Sequence, residues 1–411
     1  MRILICLLFF CFILYTGSGQ TDSSMKMGTI DSIHSKILNE NRKIWVYLPD
    51  SWRQEDFAKV KYPVVYLLDG DQHFYSVASM IQELSSVNGN SVCPEMIVVG
   101  IPNTDRTRDL TPTHVDFDPM MNGMGSMTTS GGGEQFITFI KKELIPYIDS
   151  AYPTLPYRTI IGHSFGGLTV INTLIHHKEL FTAYVAIDPS MWWDRKNLLA
   201  EVGHILTKED YKGKCLFLGI ANTMRRGMKI ANAKKDTSLR TLHIRSILSL
   251  NELLQKNRGN GLLYDSKYYI HDDHASVPLI ATYDALHSIF KFYDFKLDPE
   301  PFLNISMKII AKLEKHFQDI SKYFGFPYHV PEAMTNHLGY SALSQKKLTE
   351  AEYLFKTNVA NYPTSFNVYD SMGDFYVETG EKQKAVENYI KALAIKESSD
   401  TRNKLKALMI K

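Results

Sequence analysis

The residues of this chain that could do chemistry gather first in one short turn. Gly162-His163-Ser164-Phe165-Gly166-Gly167 follows a strand-like apolar run ending at Ile161 and precedes a helix-like stretch from Leu168. G-x-S-x-G at a strand-to-helix turn is a nucleophile elbow: the sharp turn strains the serine backbone, and glycines flank it because a Cβ there would clash. The serine Oγ then stands above the sheet at a helix N-terminus, whose dipole favours a developing oxyanion. A serine hydroxyl is a poor nucleophile without a base. In this architecture the base is a histidine later in the chain, on the loop after the last strand. His271-Asp272-Asp273-His274-Ala275-Ser276-Val277-Pro278 occupies that place. His274 is the candidate, since His271 still belongs to the strand end.

The third member is less definite. An acid is expected between Ser164 and His274, beyond the strand that precedes the histidine loop. That strand ends at Ala221-Asn222-Thr223, where an amide stands and no carboxylate is found. Asp236 comes next, either orienting His274 or capping the helix that starts near Ser238. A Ser–His dyad with Asn222 or a backbone carbonyl as the orienting group is the alternative. The oxyanion hole calls for the Phe165 N–H and a second N–H from the loop after an earlier strand. Leu68-Asp69-Gly70-Asp71 supplies that loop, with the Asp71 N–H as candidate donor. Trp192 and Trp193 follow a strand end; one is expected to line the cleft against a ring or sugar and the other to sit in the core. Arg106, in another strand-end loop, is either a partner for a substrate carboxylate or catecholate or a solvated cation.

These side chains need a scaffold, and the apolar runs provide one. Residues 43–48, 63–68, 96–101, 158–161, 183–187, 215–220 and 267–270 are apolar without alternation, as strands buried on both faces are. Helix-like stretches such as 134–148 and 168–176 lie between them. This alternation predicts an α/β fold with a mainly parallel sheet, in which ligands bind beyond the carboxyl ends of the strands. Most of the candidates fall there. Residues 123–133, rich in Gly, Met and Ser, read as a mobile loop leading into a helix near Glu134. Their glycines lack the Lys-Ser/Thr pair of a phosphate loop.

The chain has 411 residues, enough for two to three domains at roughly 100–200 residues each. Hydrophobic residues make up 44% and charged residues 22%, which excludes disorder along the whole chain. Lys plus Arg number 46 against 44 Asp plus Glu, so no positive excess exists to hold a phosphate backbone and nucleic acid is not an expected partner. Met1-Arg2, an apolar run over residues 3–15 and Thr16-Gly17-Ser18-Gly19 read as a secretory signal peptide cut after Gly19. The run is too short to span a bilayer, which takes about 20 residues. With no later run of membrane-helix length, the mature protein is expected to be exported and soluble, in the periplasm or secreted. Cys93 and Cys215 then remain and read as two buried thiols, in preference to a disulfide. No His/Cys cluster has metal spacing, so no metal is expected.

Past residue 297 the pattern changes. Asp298-Pro299-Glu300-Pro301 reads as a linker and the rest is helical in period. Gly339 and Gly373 are 34 residues apart, as are Ala351 and Ala385, Phe355 and Tyr389, and Leu338 and Met372. This resembles the tetratricopeptide repeat, with copies at about 332–365 and 366–399 and a capping helix over 405–410. The expected organisation is a signal peptide at 1–19, an α/β-hydrolase domain at 20–297 and a helical TPR-like region at 298–411. Two copies are fewer than the three an independent array needs, so the 302–324 helix or the α/β domain should supply the missing layer.

Four motifs in order carry a wider resemblance. Val65-Tyr66-Leu67-Leu68-Asp69-Gly70, Gly162-His163-Ser164-Phe165-Gly166-Gly167, Asp188-Pro189-Ser190-Met191-Trp192-Trp193-Asp194 and Asp273-His274-Ala275-Ser276-Val277-Pro278 resemble the putative esterase family. This is the esterase-D-like α/β-hydrolase group, which includes carbohydrate esterases and enterobactin-type siderophore esterases. The resemblance spans about residues 43–292 and is specific to the family, not to a substrate. It implies carboxylic-ester hydrolysis by Ser164 and His274, with the 68–71 loop at the oxyanion hole. Asn222 departs from members that carry a carboxylate near that point, and Ala275 stands where Gly is usual. The function expected is that of an exported serine esterase with no metal or organic cofactor. Its substrate would be a small-molecule or polysaccharide-linked ester, either a sugar-linked acyl group or a siderophore. The rival is an adaptor whose repeats meet a protein partner and whose hydrolase domain is a degenerate shell; a fluorophosphonate probe separates the two.

Overall fold

The computed structural model describes residues 26–54, 56–121, 127–295 and 304–410. The signal-peptide reading, the 298–301 linker and residues 122–126 of the glycine-rich loop lie outside those described.

Among the described residues, eight strands form one sheet: β1 (Thr29–Ser35), β2 (Glu40–Tyr47), β3 (Tyr62–Leu68), β4 (Ile97–Ile101), β5 (Thr154–His163), β6 (Ala183–Ile187), β7 (Cys215–Ala221) and β8 (Leu263–Tyr269). Their order is β1-β2-β4-β3-β5-β6-β7-β8. β1 and β2, and β2 and β4, are antiparallel; every other neighbour is parallel. β3, β4 and β6 are buried at every position, which is why they read as unbroken apolar runs. β1 was not foreseen. Its Thr-Ile-Asp-Ser-Ile-His-Ser sequence lies on the sheet edge with most positions exposed, so little apolar signal is needed to hold it.

Helices cover both faces. One core layer takes in Phe136, Phe139, Leu168, Ile171 and Ile247. The other takes in Phe74, Ile81, Ala281 and Leu286, and it continues into the C-terminal helices. The sequence order reverses between β3 and β5, which lie side by side, and this is where an open α/β sheet leaves a crevice beyond its strand ends.

The C-terminal region is helical. The Met307–Phe324 helix buries Ile310, Leu313, Phe317, Ile320 and Phe324, a stripe at helical spacing. Tyr157 meets Phe324 edge to face with centroids 5.4 Å apart, and Phe292 stacks on Tyr323 at 4.2 Å. Tyr157 lies early in β5, about 23 Å of strand before Ser164, so these helices dock at the end of the sheet opposite the glycine turn. Two helical hairpins follow, Glu332–Ser344 with Leu348–Asn361 and Phe366–Glu378 with Lys382–Ile395, then the Ser399–Ile410 helix. A Cβ on Gly339 would lie 2.8 Å from the Phe355 ring, and one on Gly373 would lie 2.4 Å from the Tyr389 ring. Each pair of helices therefore touches through a glycine and an aromatic. Glu332, buried, accepts from the Ala58 N–H (2.7 Å) and from Ser365 Oγ (2.8 Å), tying the first hairpin to the α/β domain.

Two local expectations are settled here. Residues 127–133 were read as part of a mobile loop, yet this stretch is pinned: the Gly132 N–H donates to Arg108 O and the Gly133 N–H to Thr111 O, both at 3.0 Å. Cys93 and Cys215 are both free thiols. No helix among the described residues is long and apolar enough to cross a membrane.

Candidate active site

Ser164 follows directly on β5 with φ 59° and ψ −114°, left-handed backbone that a side chain adopts only when its surroundings force it. The surroundings do so. The Ser164 N–H donates to Ile187 O (3.0 Å), and Ser164 O accepts from the Ser190 N–H (3.1 Å), stapling the turn to the end of β6. A Cβ on Gly162 would lie 2.3 Å from Gly166 O, a backbone atom that cannot step aside. Gly162→Ala is therefore expected to lower stability by about 1–3 kcal/mol, read as a fall in Tm; an unchanged Tm would contradict this account of the turn.

The structure brings Ser164 and His274 together. His274 Nε2 lies 3.1 Å from Ser164 Oγ. Its loop is fixed by its own polar groups: Asp273 Oδ1 accepts from the Ala275 and Ser276 N–H groups at 2.9 and 3.1 Å. Asn222, weighed above as an orienting group, serves the loop instead. Its backbone N–H donates to Asp272 O (2.8 Å) and its side-chain amide to Ile270 O (2.9 Å).

The carboxylate beside His274 is Asp188, not Asp236. Asp188 Oδ2 lies 2.6 Å from His274 Nδ1. Asp236 Oδ1 accepts from the Ser238 N–H and Oδ2 from Ser238 Oγ, both at 2.9 Å, a local turn that spends both oxygens within two residues. Asp188 closes β6 in left-handed backbone (φ 43°), with its N–H on Gly219 O (2.8 Å) and its Oδ1 accepting from the Ala221 N–H (3.0 Å). It is fully buried. Burial alone would raise this carboxyl, but the hydrogen bonds and charges of His243 and His274 override it and hold it well below the usual carboxylate range. His243 was not singled out from the sequence; its Nε2 lies 2.8 Å from the same Oδ2.

Phe165 opens the Phe165–His176 helix and Asp71 is the second residue of the Gly70–Ser85 helix. First-turn N–H groups have no carbonyl partner within their own helix, and these two helices start at the carboxyl ends of the neighbouring strands β5 and β3. Arg106 is 32% exposed, and its guanidinium is committed to a partner within the protein. Its Nε and Nη2 donate to the two oxygens of buried Asp69 at 2.7 and 3.0 Å, and its guanidinium lies over the Phe165 ring at 5.3 Å. It braces the 68–71 loop against the helix that carries Phe165. Trp192 and Trp193, expected as one cleft wall and one core residue, are both buried, at 6% and 2% exposure. Trp193 packs edge to face on Phe165 at 5.1 Å and its Nε1 donates to Thr113 O, so both indoles back the serine turn.

His163 lies against the His274 ring with centroids 4.4 Å apart. Burial first, and then the charge of His274, pushes it down to about 3, so it stays neutral near pH 7. Asp188, His243 and His274 each bring a possible metal donor atom within 4.8 Å of the others, a group found among the described residues. Zinc bonds of about 2.0–2.1 Å spread tetrahedral ligands to about 3.3 Å. The 2.6 and 2.8 Å separations found here are tighter and fit hydrogen bonds. Ser164 is partly exposed and the His274 side chain is 42% exposed, so the array opens to solvent.

Comparison with known proteins adds a lineage. A family model described as putative esterase matches residues 35–241. The crystal structure of an IroE-like serine hydrolase from Shewanella oneidensis is similar, with 32% identity and a TM-score of 0.66 over 80% of this chain and 98% of that one. The siderophore enterobactin esterase of Emericella nidulans is 29% identical over 40% of this chain and 58% of its own length. The ferri-bacillibactin esterase BesA of Bacillus subtilis is 31% identical over 42% of this chain and 63% of its own. The chain thus matches less than two thirds of the length of either curated relative.

Proposed function

Because the chain belongs to the putative esterase family, we propose that it hydrolyses carboxylic esters of the siderophore kind through an acyl-enzyme on Ser164. The observation that carries this reading is one imidazole held between a strained serine at 3.1 Å and a buried carboxylate at 2.6 Å. Ser164 Oγ attacks the ester carbonyl carbon and its proton passes to His274 Nε2. Asp188 holds the imidazolium through the Nδ1–H. The Phe165 and Asp71 N–H groups take the oxyanion. The C–O bond then breaks and the leaving alkoxide takes the Nε2 proton. Water attacks the acyl carbon with its own proton going to Nε2, and Ser164 recovers a proton as the acid departs. No step calls for a cofactor. With Asp188 in place the array lacks nothing at position 222, and the degenerate-shell reading loses its main support.

Two features favour an anionic siderophore over a sugar acyl ester. The relatives act, by their names, on enterobactin and ferri-bacillibactin. In this chain, Arg225, Arg226, Lys229, Lys235 and Arg240 are exposed on the segment that follows Asn222, the residue bonded to the histidine loop. Iron-loaded catecholates are polyanions, and such a rim raises their encounter rate in a salt-dependent way. Reversing charge with Arg225→Glu and Arg226→Glu together is expected to raise KM for a ferric catecholate ester about tenfold and to flatten its salt dependence. Hydrolysis of a neutral aryl acetate should stay within about twofold. Equal losses on both esters, or none, would contradict this substrate class.

Export rests on the signal-like residues 1–19, and the α/β-hydrolase domain on residues 20–297. Residues 298–411 are read as a TPR-like region on the strength of its 34-residue glycine–aromatic contacts, with a protein partner for its hairpins. Turnover of para-nitrophenyl esters, sugar acetates and iron-loaded siderophores, compared on the full chain, tests the reading. Siderophore hydrolysis is the expected result, and hydrolysis of none of these esters would overturn it.

A further inference from the structure

Asp188 Oδ2 serves two imidazoles at once. His274 Nδ1 lies at 2.6 Å and His243 Nε2 at 2.8 Å from the same oxygen, and the two rings meet edge to face with centroids 5.1 Å apart. His243 stands in the first turn of the Leu242–Lys256 helix, and its side chain is only 12% exposed. Its hydrogen bond goes to the acid, not to the serine.

We propose that His243 is a positioning residue for ester hydrolysis, which sets the basicity of His274 by sharing the carboxylate that His274 depends on. The inference rests on the Ser164–His274–Asp188 reading above. A carboxylate oxygen with one donor gives that donor its full charge; a second donor takes part of it. When His274 becomes an imidazolium during turnover, it is stabilised by an anion that His243 has already partly satisfied. His243 thus weakens the hold of Asp188 on the His274 imidazolium.

Other charged groups around the pair are occupied. His163, on the far face of the His274 ring, is neutral. Behind it, Asp69 and Arg106 neutralise each other. Asp272 and Asp273, on the histidine's own loop, accept from Ser276 and from the loop N–H groups. Arg245, two residues beyond His243, donates to Thr241 Oγ1 and Ser238 O. Asp188 is thus the carboxylate that faces His274, and His243 divides its charge.

The test compares His243→Leu, which removes the donor, with His243→Gln, whose amide nitrogen donates from nearly the same position. On a small neutral ester, the acid limb of kcat/KM should move up by about half a unit to one unit in the Leu variant. Its plateau kcat should stay within about threefold, and the Gln variant should keep the wild-type profile. If Leu does not fold, His243→Asn, which is too short to reach, replaces it. A histidine that only fills space would change Tm and leave the limb where it is. An unmoved limb in the folded Leu variant overturns the proposal. An equal shift in the Gln variant also overturns it, because the ring's own charge would then be the agent. NMR titration of the His274 imidazole in a Ser164→Ala background gives the same reading without turnover. A moved midpoint in a protein that hydrolyses no ester would sink the esterase reading and leave this coupling standing. Hydrolysis with neither limb nor midpoint moved would sink the coupling alone.

Discussion

Ser164→Ala and His274→Ala should each lower kcat by about 10⁴–10⁶, and the double variant should be little worse than either. The reason is geometric. Oγ reaches its base at 3.1 Å, and neither group does the other's work. Removing the hydroxyl leaves an imidazole with no nucleophile to activate. Removing the imidazole leaves a hydroxyl whose proton has nowhere to go at neutral pH. Residual turnover would come from the oxyanion-hole N–H groups and from binding alone. Steady-state kinetics on a small aryl ester checks this. A single variant that keeps a tenth of wild-type turnover would show that the nucleophile or the base lies elsewhere.

Asp188→Asn should cost about 10³–10⁴ in kcat, while Asp236→Asn should cost almost nothing. An amide at position 188 cannot carry the charge that stabilises the His274 imidazolium, and whichever way it turns, its NH2 meets another donor, either the Ala221 N–H or the two imidazoles. At position 236 an amide oxygen still accepts from the Ser238 N–H, so the local turn survives. The substitution at 188 should also alter acid stability. A carboxyl held below its usual range contributes stability that is fully present above about pH 4 and is lost as pH falls through its depressed folded value. Asp188→Asn should therefore flatten the acid side of the stability profile below about pH 4. The reverse ranking, an inert Asp188→Asn and a crippled Asp236→Asn, would restore the acid first read from the sequence.

That earlier reading failed for a physical reason. The apolar runs announce β3, β4 and β6 most plainly because burial on both faces leaves no room for polar residues, and the glycine turn is legible because Gly162 and Gly166 are in steric contact. The acid is different. Any strand-end Asp can serve if its backbone turns the carboxylate toward the histidine loop, and the left-handed φ of Asp188 that does this has no signature in the sequence. Asp188-Pro189-Ser190 stands at a strand end and within the family resemblance, but it lies one strand before Asn222, where an acid is expected. Asp236 drew attention because helix caps and triad acids use the same residue type. His243 carried no signal at all: it is one polar residue on an amphipathic helix, and only the packing of that helix brings it to Asp188. Arg106, open between a ligand partner and a solvated cation, and the tryptophans, expected as one cleft wall and one core residue, stand in strand-end loops, where both roles are common. In the structure Arg106 braces the 68–71 loop and both indoles pack behind the serine turn.

Activation of Ser164 by His274 is tested most directly by intact-mass measurement after brief exposure of the folded chain to a fluorophosphonate. A single phosphonyl adduct is expected, on the peptide that carries Ser164, absent in Ser164→Ala and formed far more slowly in His274→Ala. An unmodified wild-type chain, or an adduct that persists in Ser164→Ala, would contradict the assignment.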